Sequence, residues 1–121
     1  MAKYRAVGSA TEWWSDLASW TVSTDGGSSY SPATVLPGAQ DDVEIPGTPS
    51  KVRLTSVPAG TTVASLTVGG ELDVSTTLTV LGDVTVVAGG GVNTNAVGAG
   101  MIVACGDVAV ASGATWSAAL T

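Results

Sequence analysis

Only acidic side chains offer this sequence a route to acid–base chemistry. Asp41, Asp42 and Glu44 lie close together, and the sequence contains no His. Without His there is no Ser-His or Cys-His nucleophile pair, and the usual His/Cys zinc site is excluded. Glycoside hydrolysis needs two carboxyl groups that face each other, whereas neighbouring residues such as Asp41 and Asp42 point to opposite faces of a strand. We therefore expect no enzymatic activity and no catalytic residues.

Three other features could bind a metal ion, a phosphate group or another ligand, and each is better explained without one. Asp83 and Asp107 occupy equivalent places in two similar segments and could align for calcium, but the Gly-Gly-x-Gly-x-Asp calcium repeat is absent. Gly89-Gly90-Gly91 lacks the Lys and the helix start of a phosphate-binding loop. Cys105 lies in an apolar run, so we expect it to be a small buried hydrophobe. We expect no cofactor and no metal.

Short strands must position these residues, and they recur in residues 61–121. Alternate apolar residues point to one face of a strand, so each apolar-polar-apolar triplet predicts a minimal strand with one buried face. Gly pairs and Gly-Asp steps separate the triplets and signal turns. The predicted core positions are Leu66, Val68, Leu72, Val74, Leu78, Val80, Val84, Val86, Val108 and Val110.

The spacing of these triplets is regular. Residues 82–89 nearly repeat as residues 106–113, an offset of 24 residues, and the triplets at 66–68 and 78–80 lie 12 apart, half of that. Stacked β-coils produce such periods, and the triplets are shorter than the ~5–6 residues usual for strands. The sequence therefore predicts an all-β domain, a short β-solenoid, with a β-sandwich or tulip-like barrel as the alternative.

The N-terminal segment, residues 1–24, holds most of the aromatic residues. Residues 10–20 could form a helical turn with Thr11 or Ser9 as N-cap, or an irregular loop with a Trp latch. Because the end coil of a solenoid would otherwise expose its core, we expect an N-terminal cap. An aromatic ligand-binding platform is the alternative.

Residues 25–60 should form loops and the first strands of what we expect to be a single domain over residues 1–121. Val43 and Ile45 should share one strand face. Val52 and Leu54 mark the next strand, with Lys51 and Arg53 on its other face.

Charge and hydropathy narrow the classes of partner. The net charge is −6 with only four basic residues, too few for an electrostatic nucleic-acid footprint. No run of ~18 apolar residues predicts a transmembrane helix. The mean hydropathy is nevertheless +0.39, which suggests that surplus apolar surface contacts other protein chains. No secretory signal follows Met1, so we expect assembly in the cytoplasm.

Four segments resemble the opening of bacterial and phage β-helix surface and virion proteins. They are a W-x-x-x-x-x-W latch ending at Trp20, a P-x-A-x-D-D-V-x-I strand ending at Ile45, a V-x-S-L-x-V first coil ending at Val68, and the G-x-L repeat Gly70-Glu71-Leu72. The resemblance implies a structural virion protein, best matched by a tailed-phage capsid decoration (cement) protein. Such a protein would stabilise the shell by burying surface between capsid subunits.

The same resemblance implies the major capsid protein or other virion proteins as partners, and the C-terminal end described below predicts further copies in a homo-oligomer such as a trimer. The alternative function is a carbohydrate- or receptor-binding module of a phage tail or bacterial adhesin, which an open groove lined by aromatic rings would favour. The candidate interface residues are Trp13, Trp14, Tyr30, Trp116 and Leu120.

The C-terminal segment is nearly uncharged, with no charged side chain after Asp107. An open coil end exposes a β-edge that invites pairing with another chain. We expect the region of Trp116 and Leu120 to be an assembly surface. The alternative is that Trp116 folds back as a lid for its own chain.

Overall fold

The computed structural model describes residues 2–7, 11–47, 52–55, 57–74, 76–94, 100–116 and 119–120, and these are almost entirely strand and turn. A single 3₁₀ turn, Leu17–Ser19, interrupts the described strands. No helix of the described part is long and apolar enough to cross a membrane. The strands are β1 (Lys3–Ala6), β2 (Thr11–Trp13), β3 (Trp20–Ser23), β4 (Ser31–Pro32), β5 (Asp42–Ile45), β6 (Arg53–Thr55), β7 (Thr61–Val63), β8 (Ser65–Val68), β9 (Glu71–Val74), β10 (Thr77–Val80), β11 (Val84–Val86), β12 (Gly91–Thr94), β13 (Met101–Ala104), β14 (Val108–Val110), β15 (Thr115–Trp116) and β16 (Ala119–Leu120).

These strands form three sheets. In the described residues sheet A has the order β14-β11-β8-β5-β1-β3-β4, sheet B the order β15-β12-β9-β6-β2, and sheet C the order β16-β13-β10-β7. From β5 onward the chain visits sheets A, B and C in turn, so every three strands complete one coil. Strands of successive coils pair in parallel, for example β5 with β8 and β8 with β11. The predicted short β-solenoid is therefore confirmed, and its form is a three-sided β-helix.

The register explains one of the two sequence periods. Val84 pairs with Val108, so the 24-residue offset does join successive coils. The 12-residue offset does not, because Leu66 lies in sheet A and Leu78 in sheet C of the same coil. The neighbour of Leu66 in the next coil is Val84, 18 positions later. Coil length therefore varies with the turns between strands.

Inward side chains of successive coils stack into one core. Eight of the ten predicted core residues are fully buried: Leu66, Val68, Leu72, Val74, Leu78, Val80, Val84 and Val86. Val108 is partly buried and packs against this core, whereas the prediction is wrong at Val110, which is 43 % exposed. Both lie in β14, and among the described residues no further strand of sheet A lies beyond it.

Cys105 is exposed, which contradicts the expected burial. Its N–H donates to the carbonyl of Val80 at 2.9 Å, which holds it at the bend after β13 rather than in the strand. The apolar run that suggested burial ends one residue earlier, at Ala104.

The Gly-Asp steps are corners where backbone contacts backbone. Gly82 N–H donates to the carbonyl of Ala64 at 2.7 Å, and Gly106 N–H donates to the carbonyl of Gly82 at 3.0 Å. A Cβ at Gly82 would lie 2.6 Å from the Ala64 oxygen. Glycine is required at this corner by the close approach of coils and not by a positive φ.

The first strands follow the predicted pattern. Val43 and Ile45 are buried in β5, and Leu54 is buried in β6 while Arg53 is exposed. Val52 is buried immediately before β6. Lys51 lies outside the described residues.

The predicted helical turn over residues 10–20 is wrong. Thr11 begins strand β2, which pairs with β6, and only residues 17–19 turn as a 3₁₀ segment. The cap of that turn is Asp16, whose carboxylate accepts from the Ala18 N–H at 3.0 Å. Ser9 lies outside the described residues. The residues on both sides of the 3₁₀ turn are strands, because pairing with sheets A and B satisfies more backbone hydrogen-bonding groups than a short helix would.

The alternative, a Trp latch, describes what the segment does. Trp14 and Trp20 are each 1 % exposed, and their rings meet edge to face at 4.9 Å. The indole N–H of Trp20 donates to the Trp14 carbonyl at 2.8 Å. Tyr4 packs edge to face on Trp20 at 6.1 Å. These rings join the core beneath the first coil.

Candidate functional site

The three tryptophans among the candidate interface residues, Trp13, Trp14 and Trp116, do not line one surface. Trp13 is 59 % exposed on β2, and Trp116 is partly buried on β15. These strands are the two opposite edges of sheet B in the described residues. Trp14 is buried, so its ring is not available to a partner, contrary to its place among the candidate interface residues.

Tyr30 borders a concave surface on the outer face of sheet A. This surface, here called the sheet A depression, has a volume of about 400 Å³ and is open to solvent. Its main polar side chains are Lys3, Arg5, Asp42, Glu44, Ser65 and Thr67. The loop between β3 and β4 forms its rim through Gly26, Gly27 and Tyr30.

Strand register arranges the floor of the sheet A depression as two rows. Lys3 lies opposite Asp42, which lies opposite Ser65. Arg5 lies opposite Glu44, which in turn lies opposite Thr67. Each row therefore runs from a cation to a carboxylate to a hydroxyl across β1, β5 and β8. Alternation places these side chains outside because Tyr4, Val43 and Leu66 between them point into the core.

Some hydrogen-bonding groups in these two rows already have partners within the protein. Arg5 Nε pairs with Glu44 Oε1 at 3.2 Å, and the Arg5 guanidinium lies 4.1 Å above the Tyr30 ring. Ser65 Oγ donates to Asp42 Oδ1 at 2.7 Å. These contacts orient the side chains of Arg5 and Asp42 and hold Tyr30 at the rim.

Asp25 organises the rim loop. Its carboxylate accepts from Ser23 Oγ at 2.6 Å, from Ser29 Oγ at 2.5 Å, and from the backbone N–H groups of Ser28 and Ser29. Hydrogen bonds from Ser23 and Ser29 stabilise the charged form and hold the pKa of this carboxyl far below its usual range. The loop is thus built around one ionised side chain.

Asp41 and Asp42 have separate roles. Asp41 accepts from the Gly38 N–H at 2.8 Å and from the Ala2 N–H at 3.4 Å, so it ties the turn before β5 to the start of β1. Asp42 faces outward in the sheet A depression. Tyr4 donates its hydroxyl to the Val35 carbonyl at 3.0 Å, and burial, reinforced by the Asp41 charge, raises its pKa.

Asp83 and Asp107 do align in successive coils, but their contact is with backbone. Asp83 Oδ1 accepts from the Asp107 N–H at 2.9 Å across the Gly-Asp corner. In the described ranges no group of three or more Asp, Glu, His or Cys residues is placed to hold a metal ion. Asp83 therefore acts as a turn residue that holds the backbone of the next corner.

The last coil forms a second candidate surface, here called the open end. It consists of β14, β15 and β16, each of which pairs on one side only in the described part of the chain. Val108, Val110 and Trp116 lie there, and Asp107 is its only charged residue among those described. Leu120 lies in β16 opposite Ile102 of β13. The open end therefore offers unpaired strand edges beside partly exposed apolar side chains.

Sequence reasoning missed most of the sheet A depression. The signal was present as alternation in Lys3-Tyr4-Arg5 and Asp42-Val43-Glu44, where charged residues flank an apolar one. That pattern indicates which side chains face outward, but not that β1 and β5 are neighbours. Of the residues that line it, Tyr30 is predicted as an interface residue, and Asp42 and Glu44 are noted only as part of an acidic cluster.

Comparison with known proteins gives no match: no protein-family model fits the sequence, and neither a curated protein nor a solved structure is significantly similar to it. Function is therefore argued from the fold and from the two surfaces above.

Proposed function

We propose that this protein is a structural assembly protein, and specifically a capsid decoration (cement) protein of a tailed phage. One observation carries the assembly role: Val110 is 43 % exposed in the last coil, whereas Val86, its neighbour in the preceding coil, is fully buried. In the described part of the chain the core of the stack is thus continuous up to β14, beyond which no further strand of sheet A lies. The phage setting is supported by the sequence motifs of β-helix virion proteins.

The mechanism is burial of surface against other subunits. A β-helix is a stiff body, because each coil is hydrogen-bonded to the next along three sheets. Removal of apolar area from water contributes about 25 cal/mol per Å². Repeated at many equivalent positions on a shell, a modest contact of this kind would resist internal pressure.

The partners in this proposal are the major capsid protein or other virion proteins, and further copies of the chain. A near absence of charge at the open end favours protein contacts, since few ions need desolvation. The proposal places the protein in the virion and assigns it no catalytic activity. Turnover of a polysaccharide, peptide or phosphoester that is lost in Asp41→Asn or Asp42→Asn would contradict it.

The assembly role is tested by analytical ultracentrifugation over a range of concentrations. We expect the protein to be an oligomer, and Val110→Lys to shift it to monomer by placing an ammonium in the contact. Val35→Lys is the matched control, because Val35 is 64 % exposed on a loop before β5. A monomeric parent protein, or an oligomer that Val110→Lys leaves unchanged, would contradict self-assembly through the open end.

Deletion of residues 115–121 separates an interface from a lid. If the shortened chain stays folded and becomes monomeric, the tail is part of an interface. If the shortened chain unfolds and the intact chain is a monomer, the tail is a lid for its own core.

Imaging of the native particle tests the capsid role. Density for the β-helix over the joints between shell subunits would support a decoration protein. Density confined to the tail would contradict it and favour the alternative expectation, a receptor- or carbohydrate-binding module.

A further inference from the structure

The sheet A depression retains hydrogen-bonding groups that no described residue uses. The Lys3 ammonium makes no ion pair or hydrogen bond in the described part of the chain, and it is exposed. Asp42 Oδ2 and Glu44 Oε2 accept no hydrogen bond from the described residues, because the contacts of these side chains go through their other oxygens. Donors and acceptors therefore alternate across a floor that a ligand can reach.

The charges of this floor cancel. Two cations, Lys3 and Arg5, face two carboxylates, Asp42 and Glu44, in adjacent strands. A phosphate or polyanion would meet the carboxylates, and a polycation would meet Lys3 and Arg5. An apolar ligand would desolvate all four charged groups and offer them no hydrogen bond in return. The chemistry that fits is a neutral molecule rich in hydroxyl groups, which both donates to carboxylates and accepts from ammonium and guanidinium.

The site is also preformed. Its floor consists of three paired strands, and its rim loop is fixed by the four hydrogen bonds to Asp25. A volume of about 400 Å³ falls in the range of small-molecule sites. Because little ordering is needed on binding, even a few hydrogen bonds can produce measurable affinity.

We propose that the sheet A depression is a binding site for a neutral saccharide, which donates hydrogen bonds to the Asp42 and Glu44 carboxylates and accepts one from the Lys3 ammonium beside the Tyr30 ring. This site is separate from the open end. In sheet A the strand of the depression closest to the open end is β8, and β11 lies between β8 and β14. Ligand binding here and assembly through the last coil can therefore succeed or fail independently.

The test is a titration of the isotope-labelled protein with maltose, lactose and chitobiose, followed by amide chemical shifts in NMR spectra. We expect saturable shifts with at least one of these disaccharides, confined to residues 3–5, 26–30, 42–44 and 65–67. Inorganic phosphate and putrescine serve as charged probes, and we expect neither to compete with the bound disaccharide.

Two variants make the test specific. Glu44→Gln should weaken disaccharide binding about tenfold, the effect of losing one hydrogen bond to a charged group. Glu71→Gln is the matched control, because Arg53 Nε and Glu71 Oε2 form a similar Arg–Glu pair at 3.1 Å on sheet B. Equal weakening in both variants, shifts outside the depression, binding of phosphate alone, or no saturable shift with any disaccharide would each overturn the proposal.

Discussion

At the N-terminal end of the stack Trp14 and Trp20 close the core with rings that are 1 % exposed, while at the C-terminal end Val110 is 43 % exposed. The first end gains two extra strands of sheet A, β3 and β4, that run antiparallel to their neighbours and do not belong to the coils. The last coil has no such addition in the described residues. Among the described residues, the same stack of coils thus carries a cap at one end and unpaired strand edges at the other.

This difference indicates where stability and association reside. A large aromatic side chain can replace a missing coil because it fills volume and also satisfies a backbone group, as the Trp20 indole does for the Trp14 carbonyl. Val108 and Val110 neither fill a comparable volume nor satisfy a backbone group at the last coil. The capped end should therefore dominate the free energy of unfolding, and the open end should dominate contacts with other chains.

The largest expected effect is at the cap. Trp20→Ala should lower the free energy of unfolding by about 3–5 kcal/mol, because it leaves a cavity under the first coil. Trp13→Ala is the control, since Trp13 is 59 % exposed, and should change stability by less than about 0.5 kcal/mol. Denaturant unfolding followed by circular dichroism measures both. Similar losses of unfolding free energy in the two variants would show that the buried Trp20 stabilises this end no more than an exposed tryptophan does.

The next effect compares equivalent positions along the stack. Leu78→Ala should cost about 2–5 kcal/mol by cavity formation, and Val86→Ala about 1–2 kcal/mol. Val110→Ala, in register with Val86, should cost less than about 0.5 kcal/mol in the monomer. Losses below about 0.5 kcal/mol at both Leu78 and Val86 would mean that the coil register is wrong.

The smallest effect is local and depends on pH. Hydrogen bonds lower the pKa of Asp25 in the folded protein, so their contribution is present above the ordinary carboxyl pKa of about 4 and is lost as pH falls below it. Amide shifts of Ser28 and Ser29 should stay constant through about pH 4 and change only at lower pH, where the folded-state carboxyl of Asp25 is protonated, while those of β8 stay constant. Asp25→Asn should abolish this pH dependence. An unchanged profile in Asp25→Asn would assign the titration to another group.

The inward positions of β8 to β11 could be predicted from the sequence because alternation is a local property of a strand. The Trp-rich cap could be predicted for a similar reason: large rings in a small apolar domain are placed where they fill the most volume. Val108 and Val110 have the same alternation, yet they are not buried. Burial depends on whether a further coil covers the strand, and the sequence pattern within β14 does not indicate this.

Spacing alone also misassigned the 12-residue offset. Leu66 and Leu78 have the same local sequence, Leu-Thr-Val, but the turns between them carry the chain onto another sheet. Stacking partners are set by the full length of a coil, which includes glycine corners such as Gly82 where backbones touch. The helical reading of residues 10–20 failed likewise, because pairing of β2 with β6 outweighs a short local preference.

By itself, the sequence determined an all-β chain, the inward and outward sides of most strands, the aromatic cap, and the absence of His-dependent chemistry. Only the tertiary structure decided which strands are neighbours. That choice put Lys3 and Arg5 beside Asp42 and Glu44, and it left the end of the core uncovered at Val110. The reason is that side-chain direction follows from the local backbone, whereas the sheet A depression and the open end depend on contacts between residues distant in the chain.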